Sequence, residues 1–355
     1  MMPSSKGRMR AVEAKSYAQF LAFGPFAFQA TVVMRDCGLL AALDQGEGGH
    51  SLASLVDDTG LSEYAVSVLL DVGRNIGLVE RDDEGCFHLG RVGFFVLHDE
   101  MTRVNINFTR DVAYQALPYL EASLRESRPA GLKTLGPWKT IYEGLTQLPE
   151  PAQQSWFEFD HYYSDQVFDQ LLQLVFQRPI RHLLDVGGNT GRWALKCLNH
   201  DPGIKVTLMD LPGQLKEAKK NLEAAGVGDR ADYYPADLLK TDTRFPEAAD
   251  TIWMSQFLDC FSEPEIVSIL QRAAASMDAD SRLFIVELFP DRQGFEAARF
   301  SLDVTSLYFT CLANGNSRMY HYDRFLELVK QAGLVVEKEV DLPAGGHTFL
   351  SCRRA

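Results

Sequence analysis

A short turn, Gly187-Gly188-Asn189-Thr190-Gly191, limits the possible folds of this chain more tightly than any other stretch. Before it runs an apolar segment, Arg181-His182-Leu183-Leu184-Asp185-Val186, and after it a helical pattern from Arg192 to Asn199 begins. Apolar strand, glycine-rich turn and helix together open a doubly wound α/β sheet. Glycine lets the backbone approach a ligand closely, and a helix start offers N–H groups with no partner inside the helix.

Further strand patterns follow at helix-spaced intervals. Lys205 to Met209 ends at Asp210, Asp232 to Ala236 at Asp237-Leu238, and Asp250 to Met254 at Ser255-Gln256; Arg282 to Glu287 reads as a fifth strand. One acid at a strand end is ordinarily a helix cap or a solvated loop charge. Acids at three successive strand ends, Asp185, Asp210 and Asp237, instead mark the edge where open α/β sheets bind ligands. Asp210 stands where a ribose diol is held.

The stretch LLDVGGNTGRWAL, followed by VTLMDLP, YYPADLL, TIWMSQFLDCFSEPEI and LFIVELFPD, resembles the small-molecule O-methyltransferases of the plant caffeate and acetylserotonin type, which include bacterial tailoring enzymes. Order and spacing hold from Leu183 to Asp291. The resemblance implies a Rossmann-like catalytic domain that binds S-adenosylmethionine. It further implies that Asp185, Gly187 and Gly191 frame the methionine end of that cofactor, Asp210 the ribose and Asp237-Leu238 the adenine. Gly188, Asn189, Leu211, Ser255 and Gln256 complete the expected shell. Asn189 replaces a glycine of the family's loop, and Asn is a residue that visits left-handed backbone.

On the acceptor side the chain departs from that family. Methyl transfer from a sulfonium is an in-line displacement, so the enzyme aligns a nucleophile and, for a phenol of pKa about 10, helps remove its proton. The family carries a His-Asp pair in a pattern like LHDW, whereas this chain reads Leu258-Asp259-Cys260-Phe261, with Asp259 at the histidine position. Where the family has a second acid, in a Gly-Gly-basic-Glu-Arg pattern, this chain has Asn314-Gly315-Asn316-Ser317-Arg318, with Ser317 in the glutamate's place. Glu287, at the end of the fifth strand, is retained. His161 falls about where the family has a methionine close to the transferred methyl. His161, with Asp259 or Tyr162, is therefore expected in the base or orienting role, the plainer alternative being a hydrogen-bonded helix histidine. Trp138, Phe159, Phe257, Asp303, Tyr308 and Met319 are the remaining candidates for contact with substrate. They come from the aromatic stretch between about Asp99 and Gln177 and from the C-terminal half, where the helix after the fifth strand covers the cleft in this family. Most aromatics of the first stretch, which also holds Tyr142 and Trp156, are expected as core.

Ahead of these lies SLASLVDDTGLSEYAVSVLLDVGRNIGLVE from Ser51, two helical runs joined at Gly60, with Ser62 as N-cap of the second. A two-stranded wing follows, turning at Asp82-Asp83-Glu84-Gly85. DNA binding is the ordinary expectation for such a module. Between Ser51 and Phe95, however, the bases are Arg74, Arg81 and Arg91 against eight acids, the wrong sign for phosphate contacts. The whole chain carries a net charge of -13, so nucleic acid and anionic membranes are excluded as expected partners. The module reads as a dimerising piece, matching the dimerisation domain of the resembled family.

Ser16 to Met34 carries no charge and is long enough to graze a membrane span, but Gly24-Pro25 interrupts it. It reads as a helix pair covered by a partner, which points to a homodimer. Six cysteines without metal-ligand spacing imply neither a zinc site nor a disulfide framework, and no metal is expected. The N-terminal stretch lacks an export signal, so a cytoplasmic enzyme is expected.

At 355 residues the chain divides into an expected dimerisation domain over 1–100, a helical substrate-covering region over 101–178 and the Rossmann-like domain over 179–355. The function expected is methyl transfer from S-adenosylmethionine to a small, aromatic or phenolic acceptor, at oxygen or ring carbon. Two alternatives stand beside it: a non-methylating enzyme on the same fold, such as a decarboxylase or hydroxylase, and a winged-helix regulator that senses the cofactor.

Overall fold

The computed structural model describes residues 9–46, 48–247 and 249–355. The first eight residues, part of the stretch read as lacking an export signal, lie outside the described residues. Backbone contacts divide the chain into two compact units, one ending at Arg110 and the other beginning at Asp111.

In the first unit the uncharged N-terminal stretch forms two helices, Ala11–Ala22 and Gly24–Asp36, separated at Phe23. Pro25, in the first turn of the second helix, needs no intrahelical N–H there, which is why the break falls where it does. The helix-turn-helix follows as Leu52–Thr59 and Glu63–Asn75, with Gly60 in left-handed backbone and Ser62 Oγ accepting from Ala65 N–H. Strands β1 (Val79–Arg81) and β2 (Phe87–Leu89) pair antiparallel as the wing. Met34, Leu39, Leu40, Leu55, Val66 and Leu70 form the buried centre of this unit. The Ala11–Ala22 helix buries none of its residues, and Phe20, Leu21, Phe23 and Phe26 stay exposed. No helix among the described residues is long and apolar enough to cross a membrane.

The second unit is a mixed sheet flanked by helices. Its strands are β3 (His182–Val186), β4 (Lys205–Asp210), β5 (Ala231–Pro235), β6 (Thr251–Ser255), β7 (Arg282–Leu288), β8 (Leu334–Leu342) and β9 (His347–Arg354), in the order β5-β4-β3-β6-β7-β9-β8. The five strands legible in the sequence are the parallel ones. The hairpin β8–β9 was not expected; β9 pairs antiparallel with β7 and closes that edge. Strands β3, β6 and β7 are buried over nearly their whole length, because helices cover both faces. Trp253 of β6 stacks on Trp193 of the Arg192–His200 helix at 4.2 Å, a rigid base beneath the glycine turn.

Strand order reverses between β3 and β6, so the chain leaves these two strands in opposite directions and a crevice opens at their carboxyl ends. The glycine turn and the segment after β6 both lie at that switch point.

Candidate active site

Three residues of the turn adopt left-handed backbone: Gly187 (φ 72°), Asn189 (φ 47°) and Gly191 (φ 81°). At Gly187 a side chain is impossible for a second reason, since its Cβ would lie 2.2 Å from the Phe257 ring. The turn is held from both sides. Asn189 N–H donates to Asp210 Oδ2 at 2.9 Å, and Leu211 N–H donates to Asp210 Oδ1 at 2.6 Å. From the Ala152–Asp165 helix, Asp160 Oδ2 accepts from Asn189 Nδ2 at 2.9 Å and His161 Nε2 lies 3.2 Å from Thr190 Oγ1. Asn189 thus replaces a glycine without strain relief being its only role, because its amide ties the turn to this helix.

Buried acceptors remain unused around the turn. Asp185 Oδ2 and Asn189 Oδ1 are sealed from solvent and lack a hydrogen-bond partner, although a carboxylate or amide oxygen buried without a donor is costly. Burial, then the nearby Asp210 charge, pushes the Asp185 carboxyl up to about 8. Burial raises Asp210 to about 6 against the pull of its two backbone N–H bonds, and raises Asp160 to about 7. S-adenosylmethionine offers what this cradle lacks: a sulfonium, an ammonium and two ribose hydroxyls, all positive charge or donors. The residues fit that cofactor.

Across the crevice, Glu287 at the end of β7 organises the segment that follows β6. Its Oε1 accepts from Phe257 N–H at 3.0 Å and Leu258 N–H at 2.8 Å, while Oε2 is buried and unpartnered. Asp259 is buried beside it, and Cys260 Sγ donates to Asp259 Oδ1 at 3.4 Å. Burial, with the Asp259 charge second, drives the Glu287 carboxyl well above its ordinary range, whereas Asp259 rises only to about 6. Burial and mutual repulsion therefore favour one proton shared by the Asp259–Glu287 pair. Ser317, at the position of the family's glutamate, donates instead to Asn314 Oδ1 at 2.9 Å, and Asn314 Nδ2 binds the Cys260 carbonyl. The Asn314–Ser317 pair buttresses the Cys260 loop and does not bond Asp259.

The other expected residues distribute unevenly. Ser255 ends β6, and Gln256, at φ 46°, donates its N–H to Val286 O at 2.8 Å. Asp237 is half-buried with Leu239 N–H on its Oδ1 at 3.0 Å, and Leu238 buries its side chain in the core, leaving its backbone for any ligand. Tyr308 is buried and its hydroxyl accepts from Trp156 Nε1 at 2.7 Å. Phe159 packs on Tyr163 at 5.0 Å, and Tyr162 meets the same ring edge-on. Met319 is buried, with its N–H on Ser306 Oγ. Trp138 lies against the backbones of Gly136 and Gly144, where any Cβ would strike its ring. Asp303 is exposed on the Glu296–Tyr308 helix, 3.7 Å from Arg299, on a helix that turns its Leu302 and Tyr308 positions fully inward. His161, half-buried, loses basicity through desolvation, its pKa falling to about 4.

Sequence reasoning missed Asp160, Thr190, Cys260 and Tyr142 as site residues. Only Asp160 had a readable cue, since an Asn in a glycine loop invites a nearby acceptor. Among the described residues no three His, Cys, Asp or Glu side chains cluster so as to hold a metal ion.

Comparison with known proteins agrees with this geometry. An O-methyltransferase domain family model matches residues 145–335, and a Dimerisation2-like domain matches residues 15–86. The chain is 29% identical to a mitomycin biosynthesis 6-O-methyltransferase of Streptomyces lavendulae over a stretch spanning 48% of this chain and 47% of that one. It is 25% identical to the aclacinomycin 10-hydroxylase RdmB of Streptomyces purpurascens, over 89% of this chain and 82% of the relative. The crystal structure of the S-adenosylmethionine-dependent methyltransferase SibL superposes with a TM-score of 0.73 at 24% identity, covering 96% of this chain and 99% of that one. With more than half of its length matched by the family model, the chain belongs to the O-methyltransferase domain family, whose methyl donor is S-adenosylmethionine.

Proposed function

We propose that this chain methylates a phenolic oxygen of a small aromatic acceptor, with Asp259 as the group that takes the phenol's proton. The observation that carries the reading is the pairing of unpartnered acceptors on the glycine turn with a buried pair of acids, Asp259 and Glu287, across the same crevice. The cofactor supplies an electrophilic methyl carbon when bound. Asp185, Asp210 and the amides of the turn hold it, and Asp259 receives the proton as the acceptor oxygen is alkylated. A base whose pKa is about 6 suffices, because the phenol's acidity rises steeply as its oxygen gains the methyl group. His161 is assigned to holding Thr190 in the turn: an imidazole whose pKa falls to about 4 is a weak proton acceptor at neutral pH. The named methyltransferase relative, a 6-O-methyltransferase of mitomycin biosynthesis, supports oxygen as the target. The hydroxylase relative keeps a non-methylating outcome in view, and product identity separates the two.

The direct test is formation of S-adenosylhomocysteine with candidate phenols, together with calorimetric binding of cofactor. A charge-linked result is expected in the second measurement. Asp185, with its carboxyl near 8, is largely neutral at pH 6.5 and must ionise to face a cation. Binding should release about one proton, read from calorimetry in buffers of different ionisation heat, and affinity should rise between pH 6 and 8. Zero proton transfer would remove Asp185 from the cofactor site.

The apolar N-terminal face, in a segment matching a dimerisation domain, supports a homodimer. Phe23→Glu with Phe26→Glu should yield a folded monomer by light scattering; a persisting dimer would place the interface elsewhere. Six cysteines without disulfides support a reducing, cytoplasmic setting.

A further inference from the structure

One buried hydroxyl near the acceptor side has no role in the reading above. Tyr142 lies on a short helix, Ile141–Gly144, and its backbone carbonyl accepts from Gln214 Nε2 at 2.8 Å. Gln214 is buried on the Pro212–Ala224 helix, directly after the Asp210-Leu211 pair, so Tyr142 is indexed to the cofactor side of the crevice. Its ring is half-buried and its hydroxyl oxygen is sealed from solvent, with the Cys260 thiol, a weak acceptor, beside it. The groups facing it are the Cys260 thiol, Tyr308 and Asp259. Tyr308 is occupied with Trp156, and the Cys260 thiol donates to Asp259, which leaves its sulfur as a weak acceptor for the Tyr142 hydroxyl, one that a ligand oxygen would outcompete. Desolvation keeps the Tyr142 phenol protonated, so it can donate.

The charge around this point is one-sided. Asp259, Glu287 and Asp160 come from three different elements, and Glu287 Oε2 is a buried polar atom without a partner. Among the described residues, the base that acts on this group is Arg192, which faces Asp160 and whose guanidinium is bound to Asp165. A carboxylate brought into this low-dielectric setting would meet the charge left on the Asp259–Glu287 pair with no cation to compensate.

We propose that Tyr142 donates a hydrogen bond to the acceptor molecule and that the acids around it select uncharged phenols over phenols bearing a carboxylate. This rests on the methyltransferase reading above and adds an acceptor-binding residue and a charge class to it. In the transfer the acceptor oxygen bonds to the methyl carbon as the carbon–sulfur bond breaks. Its electron pair passes to sulfur, and the phenolic proton moves to Asp259. Tyr142 exchanges no proton; it fixes the ring.

The test uses the full-length protein with S-adenosylhomocysteine bound and two ligands of one ring, methyl 4-hydroxybenzoate and 4-hydroxybenzoate, at pH 7.5. Wild type should bind the ester at least tenfold tighter than the acid, the scale of one unpaired buried charge or hydrogen bond. Asp259→Asn should narrow that ratio by admitting the acid, a change that a merely weakened fold would not produce. Tyr142→Phe should lower ester affinity and kcat/KM on the order of tenfold while leaving cofactor affinity unchanged. Equal binding of ester and acid, or unchanged ester affinity in Tyr142→Phe, would overturn the proposal with cofactor binding still standing. Failure of both cofactor binding and turnover in wild type would instead sink the methyltransferase reading beneath it.

Discussion

Replacing Asp210 with alanine should raise the dissociation constant for S-adenosylmethionine on the order of 100-fold, about 3 kcal/mol. The magnitude follows from the number of bonds that one carboxylate organises. Its two oxygens already accept Asn189 N–H and Leu211 N–H, which fixes the turn and the start of the next helix. In the proposed complex the same carboxylate also accepts from the ribose diol. Alanine removes both functions, whereas Asp210→Asn keeps the shape and one acceptor and should lose only about tenfold. Calorimetry checks the grading, with circular dichroism confirming that the sheet persists. Equal affinity in wild type and Asp210→Ala would take the cofactor out of this crevice altogether.

The second large effect is expected at Asp259. Asp259→Asn should lower kcat by 10²- to 10³-fold, roughly the range of general-base contributions, with little change in cofactor affinity. The pH profile distinguishes proton transfer from simple misplacement. Because burial lifts the Asp259 carboxyl to about 6, the group is charged above that pH and protonated below it. Wild-type kcat/KM should therefore fall as pH drops through about 6, and the residual activity of Asp259→Asn should lack that limb. An unchanged acidic limb in the variant would assign it to another carboxyl, with Asp160, raised to about 7, the next group to examine.

These expectations differ in how much of them the sequence already contained. The glycine turn, the acid at the end of β4 and five parallel strands were readable because each is a local pattern: apolar runs of strand length, positions needing left-handed backbone, polar residues at strand ends. The strand limits moved by no more than a residue or two, as at β5, expected from Asp232 and found from Ala231. The hairpin β8–β9 was not readable in the same way. Strand β8, Leu-Val-Val-Glu-Lys-Glu-Val-Asp-Leu, lies at the sheet edge and is largely exposed, so its composition resembles a charged helix as much as a strand.

The acceptor side divides along the same line. Sequence alone established that the family's histidine and glutamate are absent, and it singled out His161 as a replacement from its position in the chain. It could not report that His161 bonds Thr190, that Ser317 turns to Asn314, or that Tyr142, one aromatic among many, ends in a buried hydroxyl beside the Cys260 thiol. Local pattern determined the fold and the cofactor cradle, because backbone conformation and strand ends are set by neighbours in sequence. Only the tertiary structure decided that Asp259 and Glu287 meet as a buried pair sharing a proton, because desolvation and their closeness arise from elements that are remote along the chain.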